Sequence, residues 1–73
     1  MIVQPEAFGR NLKRILKEKH MSQAKLGEAL DIGQLSVNRW CNGLHLPALD
    51  TFSMITKILD VSADELLEGM IKW

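Results

Sequence analysis

This sequence predicts an all-α fold of five helices, and three observations carry the prediction. Apolar residues return at helical spacing in successive segments, as in Val37, Trp40, Cys41 and Leu44 at i, i+3, i+4 and i+7. No segment shows the apolar–polar alternation of a half-buried strand. Helix-start residues stand ahead of two of the apolar runs, Ser22 before Gln23 and a Ser62-x-x-Glu65 pair before Leu66. With 73 residues, 47% of them apolar, residues 1–73 form one compact domain whose small core has to be packed efficiently.

The first helix is expected from about Glu6 to Lys19. Pro5 suits its start, and Phe8, Leu12, Ile15, Leu16 and Lys19 follow helical spacing. Arg10, Lys13, Arg14 and Lys17 fall mostly on the other faces and read as solvated surface. The helix ends at His20, Met21 turns inward, and Ser22 caps the second helix with its hydroxyl.

From Ser22 to Gly43 the chain reads as two short helices with a tight turn between them. The third helix hides Val37, Trp40, Cys41 and Leu44, which leaves Gln34, Leu35, Asn38, Arg39 and Asn42 on the outer side. That face has a specific chemistry. Paired donors and acceptors on Gln and Asn match adenine in a DNA major groove, and Arg matches guanine. Asn42-Gly43 closes the helix, with Gly43 in a left-handed cap.

A fourth helix is expected over about Leu49 to Leu59, with Leu49, Phe52, Ile55 and Leu59 inward and Met54 and Ile58 as an outer apolar pair. The Ser62–Glu65 capping box starts a fifth, in which Leu66, Leu67, Met70, Ile71 and Trp73 are apolar with only Glu68 and Lys72 between. Such a helix exposes too much apolar area for a monomer. A two-fold homodimer through Met54, Ile58, Leu67, Met70, Ile71 and Trp73 is the expected remedy, and the opposing reading folds this tail back on its own core.

The ordered series Ser22-Gln23, Leu26-Gly27, Leu30, Ile32, Val37, Trp40 and Asn42-Gly43 resembles the helix-turn-helix of phage repressors and Cro proteins, the XRE type. The likeness continues through Leu46-Pro47-Ala48-Leu49, Leu59-Asp60-Val61-Ser62 and Asp64-Glu65-Leu66-Leu67, and back into Phe8 to Lys19, so it covers nearly the whole chain. It implies a compact repressor-like domain with the helix-turn-helix at about 22–43. It implies base contacts from Gln34, Leu35, Asn38 and Arg39 and phosphate contacts from Gln23, Ser36, Asn42 and His45.

Several positions depart from the family's habits. Gly27 stands where Ala is usual and the two helices come closest, Asp31 replaces the turn Gly, Gly33 replaces a capping Ser or Thr, and Asp60 replaces another Gly. Leu35 stands where a polar residue is usual and could meet a thymine methyl or pack on a neighbouring subunit or helix. Leu16 and Cys41 occupy the places of an Arg and a Glu that pair in related repressors; since both are apolar here, no charge is left stranded. In the loop Leu44 to Ala48, where basic residues usually face DNA, only His45 can become cationic.

Net charge is zero, which weighs against DNA binding, since phosphate attraction supplies most non-specific affinity. The distribution answers part of this. Seven basic residues face four acidic ones up to Trp40, giving +3, whereas Lys57 and Lys72 face Asp50, Asp60, Asp64, Glu65 and Glu68 beyond it, giving −3. The leading expectation is a DNA-binding transcriptional regulator of repressor type that partners with double-stranded DNA. The alternative is a protein-interaction module of the same fold, such as an antitoxin-type partner binder, with little DNA affinity. An enzyme is not expected, because no paired carboxylates, phosphate-cradling Gly loop or nucleophile–base set is present. Cys41 and His45 make only half a zinc site, so neither a metal nor another cofactor is expected. With no membrane-length apolar run, no signal-peptide pattern and one cysteine, the expected location is the cytoplasm of a prokaryotic cell.

Overall fold

Pro5 occupies the first position of helix α1 (Pro5–Glu18), where its missing N–H costs nothing. The computed structural model describes all 73 residues. After α1 come α2 (Gln23–Ala29), α3 (Gln34–Cys41), α4 (Leu49–Leu59) and α5 (Ala63–Leu67). Two-residue strands β1 (Ile2–Val3) and β2 (Ile71–Lys72) pair antiparallel, Ile2 opposite Lys72 and Val3 opposite Ile71. The five expected helices are present.

Left-handed backbone at His20 (φ 56°), Asp31 (φ 58°) and Asp60 (φ 55°) turns the chain at three of the helix ends. Gly43, at φ 72°, ends α3 as expected. The connections at His20, Asp31 and Asp60 are three or four residues long, so the helices follow one another closely around a single core. Fourteen apolar residues fill it, among them Phe8, Leu12, Ile15, Leu26, Val37, Trp40, Ile55 and Leu66, and no polar or charged side chain is buried. Leu16 and Cys41 both lie in this cluster, so two apolar side chains stand where related repressors pair an Arg with a Glu.

At Gly9, α1 lies close against the end of α3. A Cβ added at Gly9 would lie 2.7 Å from the Trp40 carbonyl oxygen and closer still to that of Cys41, so only glycine fits there. Asn11, two residues along α1, donates from Nδ2 to the Leu66 and Glu68 carbonyls, both at 2.8 Å. It satisfies carbonyls left open at the end of α5.

The structure corrects the sequence reading at four places. Leu44 is 68% exposed, because Gly43 reverses the chain before the buried stripe of α3 can reach it. Leu49 is 82% exposed and Phe52 only half-buried, its ring 6.1 Å from that of Phe8, because α4 turns its first residues outward. The fifth helix stops at Leu67: Glu68 is extended and Gly69 has φ 79°, and the tail runs as β2 against β1. Met70, expected at a subunit interface, is 8% exposed and closes the core, while Gln4 binds the same turn through its backbone N–H to Met70 O and its Nε2 to Gly69 O.

Candidate nucleic-acid interface

Ser22 Oγ accepts the Lys25 N–H at 3.0 Å and so fixes where α2 begins. Five residues into the helix, Gly27 lies under the start of α3. A Cβ there would come 3.1 Å from Ile32 O and 3.4 Å from Gln34 Cα, tight contacts that the bare glycine avoids. Asp31 then turns the chain, Ile32 N–H returns to Gly27 O at 2.9 Å, and Gly33 enters α3 in extended conformation with no side-chain cap.

This joint settles which side of α3 faces out. Val37, Trp40 and Cys41 are buried beneath it, and Gln34, Leu35, Asn38, Arg39 and Asn42 are exposed. Arg39 takes part in no ion pair, since the chain's one such contact is between exposed Arg14 and Glu18 at 3.4 Å. Gln23 and Ser36 are half-buried at the α2–α3 junction, and His45 is exposed on the following loop. The face therefore offers amide donors and acceptors, a guanidinium and the Leu35 side chain on one outward helix.

Three of the amides are linked. Asn42 Nδ2 donates to Asn38 Oδ1 at 3.2 Å, and Asn38 Nδ2 donates to Gln23 Oε1 at 3.3 Å. The helical spacing of Asn38 and Asn42 made their pairing legible, but nothing in the sequence ties either to Gln23. Gly9 and Asn11, which hold α1 against α3 and α5, were also missed. An isolated Gly within a helical pattern is the one signal that marks such a contact.

The chemistry elsewhere is sparse. Cys41 lies in the core and His45 on the surface, and no three His, Cys, Asp or Glu side chains gather as metal ligands. Burial pushes the Cys41 thiol above the ordinary thiol range, and the nearby Lys13 ammonium offsets this only in part. No helix is long and apolar enough to cross a membrane. Of the residues expected at a dimer interface, Met54, Leu67, Ile71 and Trp73 are exposed and Ile58 is half-buried.

Comparison with known proteins agrees with this geometry. The HTH-type transcriptional activator BcrR of Enterococcus faecalis is 29% identical over 62 residues, which cover 85% of this chain and 30% of that protein. The uncharacterized HTH-type transcriptional regulator YqaE of Bacillus subtilis (strain 168) is 36% identical over 62 residues, covering 85% of this chain and 53% of that one. The chain thus spans about a third and about half the length of these two relatives. The solution structure of the SOS-response transcriptional repressor LexA from Eubacterium rectale superposes with a TM-score of 0.82 at 17% identity, covering 96% of this chain and 76% of that one. Residues 12–66, three-quarters of the chain, match the family described as helix-turn-helix, and the chain belongs to that family.

Proposed function

We propose that residues 1–73 act as one sequence-specific double-stranded DNA-binding domain of a transcriptional regulator, with α3 docked in the major groove. One observation carries this: the amides of Gln34 and Asn38 stand on an exposed face whose underside, Val37 and Trp40, is locked in the core. Gln34, at the first turn of α3, reaches deepest into the groove for a bidentate contact to adenine, and Asn38, Arg39 and Leu35 complete the base-reading set. Gln23, Ser36, Asn42 and His45 serve the phosphates on either side. The two relatives are described as transcriptional regulators, which supports the same role here, inside a prokaryotic cell. A homodimer through Met54, Ile58, Leu67, Ile71 and Trp73 would set two copies of α3 about 34 Å apart on a pseudo-palindromic site.

Selection from a random duplex pool tests the reading. Enrichment of one sequence, with affinity that falls steeply as salt rises, is the expected result. A second reading, a protein-interaction module, draws support from exposed Leu35, Leu44 and Leu46. It predicts no enrichment and affinity for a protein partner that salt hardly changes.

A further inference from the structure

Three amides are joined across the α2–α3 junction, from exposed Asn42 through exposed Asn38 to half-buried Gln23. An amide donates at nitrogen and accepts at oxygen, so a row of them has a direction, and turning one member turns the rest. In the direction present, the Gln23 oxygen is occupied by Asn38 and both Nε2 protons are left free. Gln23 is the first residue of α2. A phosphate oxygen only accepts, so this is the orientation in which Gln23 favours phosphate. The opposite one would present Oε1 and repel it.

We propose that Asn42 is a positioning residue: it sets the direction of the Asn38 amide and, through Asn38, makes Gln23 meet the DNA backbone with its donor end. The inference rests on the DNA-binding reading and adds to it a role for a residue that need touch no base. Asp at this position accepts and cannot donate. With Asn42→Asp, Asn38 turns its Nδ2 toward residue 42 and its Oδ1 toward Gln23, Gln23 donates inward, and its oxygen faces the phosphate.

Binding of the full chain to the duplex recovered from the random pool is measured for the wild type, N42D, Q23A and N42D/Q23A. The added negative charge repels DNA in both backgrounds, whereas the reversal acts only where Gln23 is present. N42D is expected to lose about fivefold more affinity with Gln23 in place than in the Q23A background. Equal losses would overturn the proposal. The DNA-free protein gives an independent readout: in the side-chain amide spectrum, the Gln23 Nε2 resonance shifts between wild type and N42D and stays in one place between N38A and N38A/N42D. A Gln23 resonance indifferent to residue 42 overturns the proposal whatever the DNA result. If the wild type enriches no sequence, the DNA-binding reading fails, and the spectrum still decides the positioning role.

Discussion

Gln34 and Gln23 carry the same side chain, and their places in the fold separate their effects. Gln34→Ala is expected to cost about 1 to 3 kcal/mol on the selected duplex and to relax preference at one base position. Gln23→Ala should weaken all sequences alike and leave the salt slope unchanged, because a neutral amide releases no counterion. Gly33 offers a gain in stability: α3 starts without a side-chain cap and a Cβ there meets nothing within 4 Å, so Gly33→Ser should add a few tenths of a kcal/mol to unfolding in urea. Cys41 imposes a pH dependence. Its thiol is held neutral in the fold, so above the ordinary thiol pKa the unfolded chain ionises first and stability falls as pH rises. Urea midpoints from pH 7 to 10 should show this fall, and Cys41→Ala should remove the thiol's share of it. At this scale the sequence was most legible where one residue type has one use. Asp31 and Asp60, which stand where the family has Gly, are both left-handed, as is His20 at the end of α1. Gly69, at φ 79°, carries no such signal, because it lies within a run that keeps helical spacing.

Helix existence was legible and helix contact was not. Periodicity identifies the face that α1 buries, yet it cannot show that Gly9 rides against the last carbonyls of α3. In an exposed helix, Gly→Ala gains about 1 kcal/mol. Here Gly9→Ala should instead destabilise by about 1 to 3 kcal/mol or more, since backbone carbonyls must shift to admit the methyl. Chemical denaturation checks the sign. The expected fifth helix is too long for a related reason. Leu66, Leu67, Met70 and Ile71 keep helical spacing, but Met70 reaches the core from a turn, and Ile71 lies exposed on a strand too short to show alternation. Leu49 was misplaced because position in a stripe does not reveal that a helix enters at the edge of the core. The outer face of α3, by contrast, is exposed as expected, since Val37 and Trp40 leave α3 one way to lie.

Charge divides the whole molecule, with a surplus of three positive charges up to Trp40 and three negative beyond it. The positive part carries α2 and α3, which favours approach to DNA by that end. The remaining apolar surface gathers at the other elements, with Trp73 96% exposed beside Ile71. Trp73→Ala is therefore expected to weaken self-association in sedimentation equilibrium and, through it, affinity for a two-half-site duplex more than for a single half-site. The β1–β2 ribbon has a mechanical consequence. Its antiparallel register sets residue 2 beside residue 72, so the first and last residues lie at the same end of the ladder. Tension applied across the two ends of this domain would open the ladder one rung at a time, at low force, and only then draw Met70 out of the core. In an optical trap the earliest extension should be a small reversible step, well before the helices give way.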